Sequence, residues 1–153
     1  MKQLIITMVY ALISLAGVCW GSDLYPGYAG SPWETEIDTI MKNYPKGILG
    51  KLQDQLIYKQ LQPSKEYRQR TFAFRDNKLI AVTVSFAPDF VSKTGVEHLV
   101  AIHQKNFGLG QLDRSNAPHL MSYVWENGKT KITFAYAPEK LDYTVLMFQQ
   151  KKP

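Results

Sequence analysis

The chain has 153 residues, 45% of them hydrophobic and 20% charged, and its eighteen Lys and Arg against thirteen Asp and Glu give a net charge of +5. The charges are dispersed apart from Lys151-Lys152 at the end, which excludes a basic stripe for nucleic acid and leaves a solvated mixed surface. The single cysteine, Cys19, excludes an internal disulfide, a Cys-pair redox site and a thiolate metal cluster.

The first segment, "MKQLIITMVYALISLAGVCWG", places one early charge at Lys2 before an apolar stretch from Leu4 to Val18 and then small residues. This is the pattern of a secretory signal peptide over residues 1–21, with cleavage near Gly21. The stretch is short and broken by Thr7, Tyr10 and Ser14, whereas a spanning helix needs about 20 predominantly apolar residues. A lipid anchor on Cys19 is the less favoured alternative, because Ala16-Gly17-Val18 departs from the Leu, small residue, Gly or Ala order of that processing site. Loss of Lys2 takes the charge from +5 to +4 and leaves no cysteine, so residues 22–153 form a single cysteine-free domain of about 130 residues, long enough to bury a core without staples. A cysteine-free export product points to the bacterial envelope: periplasmic or secreted, with peripheral or no membrane contact.

Next comes an aromatic, glycine-rich arm, "DLYPGYAGSPW" at 23–33, which either seals the edge of the core or presents Tyr25, Tyr28 and Trp33 to a partner. Ser31-Pro32-Trp33-Glu34 has the form of a capping box, and so does Thr94-Gly95-Val96-Glu97, 63 positions later. Each is expected to open an amphipathic helix: Trp33, Ile37, Ile40, Met41 and Tyr44 make one apolar stripe, and Val96, Leu99, Val100, His103 and Phe107 the other. "KNYPKGILGKL" and "KNFGLGQL" close them, with glycines to release the chain.

Strands are expected at Gln55 to Gln62 and Leu141 to Gln149, with hairpins at 67–89 and 119–139 between them. A three-residue loop, Asp76-Asn77-Lys78, pairs Phe74 with Ile80 and Phe72 with Val82. Asn127-Gly128 reads as a two-residue type I′ turn that pairs Trp125 with Thr130, Tyr123 with Ile132 and Met121 with Phe134. Both hairpins end in aromatic-Ala-Pro-acid, where proline stops the strand.

The expected fold is therefore α+β: two amphipathic helices on one face of an antiparallel sheet of about six strands. An internal duplication of a helix-plus-hairpin unit divides the domain into pseudo-repeats at about 31–89 and 94–148.

Chemistry is sparse. His98 and His103 are five apart and diverge around a helix, so they cannot share a metal as an i, i+4 pair does. His103 stands where the other stripe has Ile40, and reads as a half-buried histidine. Glu34 and Asp38, one turn apart, are explained by the helix dipole. GxSxG, a phosphate-binding glycine loop, HExxH and EF-hand spacing are missing, so neither catalytic residues, a cofactor nor a metal is called for. The candidate binding surface comprises Tyr25, Tyr28, Trp33, Tyr58, His103 and Trp125, the last with Tyr123 and Tyr136 beside it in the hairpin.

The order helix, hairpin, helix, hairpin behind a signal peptide resembles the duplicated α+β fold of the β-lactamase inhibitory proteins and the small outer-membrane assembly components of the BamE/OmlA type. The opening "DLYPGYAGSPWETEIDTIMKNY" is similar to the start of uncharacterised small bacterial envelope proteins. The resemblance covers element order and implies no site residues. The expected function is an exported, non-enzymatic binding or adaptor module whose partner is a protein or envelope component. One alternative is a carrier of a small apolar ligand or lipid between helices and sheet; another is a hydrolase-type enzyme using His103 or His119.

Overall fold

The computed structural model describes residues 23–152, so the segment expected to be a signal peptide and Cys19 lie outside the described residues. A two-stranded ribbon comes first, β1 (Gly27–Tyr28) and β2 (Ser31–Pro32), then α1 (Ile37–Asn43). β3 (Ile48–Leu52), β4 (Gln55–Leu61), β5 (Tyr67–Arg75) and β6 (Lys78–Phe86) follow as a meander. Two consecutive helices, α2 (Pro88–Thr94) and α3 (Val96–Phe107), lead to a second meander of β7 (Gln111–Asp113), β8 (Met121–Glu126), β9 (Thr130–Ala137) and β10 (Lys140–Gln150). The meanders join through their last strands into one antiparallel sheet of eight, ordered β3-β4-β5-β6-β10-β9-β8-β7. The fold class is α+β, with three helices where two were expected and eight strands plus a ribbon where about six were expected.

Alternation sets the faces, because successive strand residues point to opposite sides. Tyr58, Phe72, Val82, Phe148, Ile132 and Trp125 form one continuous cross-strand row on the covered face. Ile40 of α1, Val91 of α2 and Leu99 and Val100 of α3 bury against that face in a single core. No helix among the described residues is long and apolar enough to cross a membrane.

Neither expected capping box caps a helix. Ser31-Pro32 pairs with Gly27-Tyr28, and Glu34 at φ +69 donates its amide to the Leu79 carbonyl, so the chain is committed to strand-like contacts there. Trp33 consequently precedes α1, which starts after Glu36 without a side-chain cap. Downstream, Pro88 at the first turn of α2 is pre-organised for a helix, which makes Thr94 the last residue of that helix. Gly95, at φ +83, supplies the bend into α3.

The two hairpin turns exchange their expected roles. Asp76 and Asn77 take φ of 50° and 62° in a two-residue turn of the I′ kind, flanked by the pair Arg75 and Lys78. The extra residue sits in a bulge at Ile80 instead: Phe72 faces Val82 as expected, but Phe74 faces Leu79. At the second turn neither Asn127 nor Gly128 takes a positive φ. The Asn127 Oδ1 accepts from the amides of Lys129 and Thr130, both at 2.9 Å, which widens the turn. Pairing moves by two residues, so Trp125 faces Ile132, Tyr123 faces Phe134 and Met121 faces Tyr136; the shift is even, so every side chain keeps its face.

Candidate functional site

The six candidate residues do not converge on one place. Tyr25 is exposed, whereas Trp33 packs on the core and donates its indole N–H to the Thr130 hydroxyl at 2.9 Å. Tyr58 and Trp125 are buried and hold the chain where it leaves α1 and α3. The Tyr58 hydroxyl donates to the Tyr44 carbonyl at 2.7 Å and accepts from the Gly47 amide at 2.8 Å, and the Trp125 indole donates to the Gly108 carbonyl at 2.7 Å.

His103 is enclosed by Phe86, Phe107, Trp125 and Phe134, with the Phe134 ring centroid 4.9 Å from its own. Neither ring nitrogen has a hydrogen-bond partner, and burial lowers the pKa to about 4, so the ring is neutral. His119 is placed differently, lining a surface cleft of about 360 Å³ with Glu139, Lys140 and Tyr143. Among the described residues no three His, Cys, Asp or Glu side chains group to hold a metal.

Tyr28 belongs to a different constellation, and its centre is Arg70. This guanidinium lies 5.1 Å from the ring centroid of Tyr44 and 5.8 Å from those of Tyr28 and Tyr67. Four elements set the geometry. Arg70 is on β5 directly opposite Gln60 of β4, Tyr44 caps the C-terminal end of α1, and Tyr28 comes from the arm. The Arg70 Nη1 donates to Gln60 Oε1 at 3.3 Å, while Gln60 Nε2 donates to the Pro45 carbonyl at 2.7 Å. Its Nε is buried without a partner, and no carboxylate among the described residues pairs with it.

Arg70 opens onto a cleft of about 440 Å³ lined by Tyr44, Lys46, Gln60 and Gln62. A neighbouring cleft of about 520 Å³ shares Gln62 and is lined by Lys65, Tyr67 and Arg68 and also by Asp89. Burial pushes the Tyr28 phenol up to about 12, although Arg70 pulls the other way; burial also raises Tyr67. Both phenols thus stay protonated and able to donate. The site can offer donors and positive charge to an anion, between aromatic walls that a planar or aliphatic group can pack on.

Of these residues the sequence reading found Tyr28 alone. The signal for the rest was available: alternation through Phe74, Phe72 and Arg70 on β5, and through Tyr58 and Gln60 on β4, puts a cation and an amide at covered-face positions.

No protein-family model matches this sequence, and no curated protein matches it. Among solved structures the chain is similar to that of a DUF4309 family protein, YjgB, from Bacillus subtilis subsp. subtilis str. 168. The two share 12% identity at a TM-score of 0.48, over 80% of this chain and 84% of that one.

Proposed function

We propose that this chain is an exported, non-enzymatic binding module of the bacterial envelope, and that it recognises an anionic group of its partner at the Arg70 cleft. One observation carries this reading: a half-buried guanidinium ringed by three tyrosines, with a weak hydrogen bond to Gln60 and no carboxylate partner among the described residues. Holding a cation there costs free energy unless a charge-assisted contact offsets it, and a ligand carboxylate or phosphate supplies that contact. Lys46, Lys65 and Arg68 around the two clefts add to the attraction. The export part of the proposal rests on the signal-peptide pattern of residues 1–21.

A duplicated ancestry fits the same geometry. The carbonyls that anchor the chain beyond α1 and α3, Pro45 and Gly108, are 63 residues apart, and so are Gly47 and Gly110, each beneath an aromatic ring of its meander's second strand. On that reading the Arg70 cleft marks a place where two related units have diverged.

The test is an NMR titration of the isotope-labelled protein with sodium phosphate and, separately, sodium acetate. Saturable shifts centred on the Gln60 side chain and the Arg70 Nε–H are expected, absent in Arg70→Ala and weakened in Arg70→Lys, which keeps charge but loses the planar fork. Shifts that do not saturate, or that survive Arg70→Ala, would overturn the reading. Carriage of a small apolar ligand is the second reading, favoured by a cleft of about 290 Å³ beneath the arm between Tyr25, Tyr28, Phe107 and Phe148. A co-purifying apolar mass in native mass spectrometry would select it.

A further inference from the structure

The two edges of the eight-stranded sheet are built differently. β7 is three residues long and carries Gln111 and Asp113, so it is short and polar, as a protected edge should be. β3 is five residues, "ILGKL", in unbroken register with β4. All five are exposed, including Ile48 at 65%, Leu49 at 47% and Leu52 at 64%. Proline and a bulge, two of the usual means of blunting an edge, are missing from it, and its one charge, Lys51, lies on the covered face two residues from Leu49. Behind it on the same uncovered face, Leu61 of β4 is 61% exposed, which extends the aliphatic patch one strand inward.

The strand is also complementary to itself. Antiparallel pairing of two copies about Gly50 sets Ile48 opposite Leu52 of the partner on the uncovered face, twice. On the covered face it sets Leu49 opposite the partner's Lys51, also twice. A register one pair further on would oppose Lys51 with its own copy, which is unfavourable. The reverse slip would leave Leu52 facing the partner's Lys46, outside the strand. Only the Gly50 register uses all five residues, pairs aliphatic with aliphatic and keeps the ammonium groups apart.

We propose that β3 is a self-pairing edge: a second copy of this chain adds antiparallel through it about a two-fold axis at Gly50, uniting the two eight-stranded sheets. The pairing satisfies outward-facing backbone groups of β3 and covers the Ile48, Leu52 and Leu61 patch. The patch borders the Arg70 cleft, whose lining includes Leu61, but the pairing uses none of the residues that ring Arg70.

Sedimentation equilibrium of the mature chain tests it. The wild type should show a reversible monomer–dimer equilibrium. Leu49→Lys, which opposes two ammonium groups at each of the two Leu49 positions, should weaken it at least about tenfold. Leu49→Glu, which opposes a carboxylate to Lys51, should keep the dimer and make it salt-sensitive. Circular dichroism confirms that each variant folds. Hydrogen exchange on the wild type gives a second readout, with β3 amides more protected in concentrated than in dilute solution. A wild type that stays monomeric at high concentration, or two substitutions with equal effect, overturns the proposal.

Discussion

His103 shows how a single side chain can tie stability to pH. Its imidazole is buried among Phe86, Phe107, Trp125 and Phe134, and burial depresses its pKa from 6.5 to about 4. Between those values the unfolded chain binds a proton that the folded chain refuses. Stability is therefore unaffected above pH 6.5 and falls progressively toward pH 4, by up to about 3 kcal/mol from this group. His103→Leu removes two buried nitrogens without partners at similar volume, so it should gain about 1–3 kcal/mol at pH 7 and flatten the slope below pH 6.5. Urea unfolding of both proteins at pH 7 and pH 4.5 measures it, and an unchanged slope in the variant would assign the pH dependence to other groups. His103 was readable in advance, since helical spacing places it on the apolar stripe of α3. Arg70 was missed because a strand's charge ordinarily turns outward, as Arg68 does at the register shift between Tyr67 and Gln69 to reach the Asp142 carbonyl at 3.1 Å. Alternation gives the face of Arg70 and Gln60, but it cannot announce that Tyr28 of the arm and Tyr44 at the end of α1 come to join Tyr67 of β5 around the guanidinium.

At the scale of elements, strong periodicity was legible and turn chemistry was not. β4, β5, β6, β8, β9, β10 and α3 follow from apolar spacing, whereas β3 and β7 show no alternation to detect because neither buries a face. The extra residue of the first hairpin was legible from register, yet it went into a bulge because Asp76 and Asn77 both tolerate the left-handed region and form the tighter turn. The glycines beyond α1 and α3 were read as helix stops, and the structure gives them a second task. A Cβ on Gly47 would overlap the Tyr58 ring, and one on Gly110 would lie 2.6 Å from the Trp125 ring, so each meander's second strand packs its aromatic side chain directly on backbone. Gly47→Ala and Gly110→Ala should each cost about 1–3 kcal/mol through overpacking, although neither glycine takes a positive φ. Tyr58→Phe in the Gly47→Ala background distinguishes steric from hydrogen-bond loss. If the cost comes from displacing the hydroxyl from Tyr44 and Gly47, adding Tyr58→Phe should cost little more.

The whole molecule is held across its middle twice. β6 and β10 join the meanders through the sheet, and the arm of residues 23–33 crosses from the start of the described chain to the β8–β9 turn of the second meander. There the buried Thr130 hydroxyl accepts from the Trp33 indole at 2.9 Å and donates to the Tyr25 carbonyl at 3.1 Å, while Asn127 Nδ2 donates to the Leu24 carbonyl at 3.2 Å. The partners are 97 to 105 residues apart, so these bonds close nearly the full length of the described chain and form only when both meanders are in place. Thr130→Val keeps the shape but orphans the indole N–H and the Tyr25 carbonyl together, and should cost about 2–3 kcal/mol. Trp33→Phe removes only the donor, along with some packing, and should cost about 1–3 kcal/mol. Because both substitutions break the same bond, the double variant should cost less than the sum by about 1 kcal/mol. Urea denaturation of the four proteins, followed by far-UV circular dichroism and by tryptophan fluorescence, gives that coupling. The two probes should coincide in every variant, since an arm anchored on the second meander cannot release while the sheet remains whole unless it is a separate cooperative unit. Additive costs would mean that the arm merely rests on Thr130. Separated transitions would mean that it detaches first, which would open the aromatic cleft beneath it and bring Tyr28 away from Arg70.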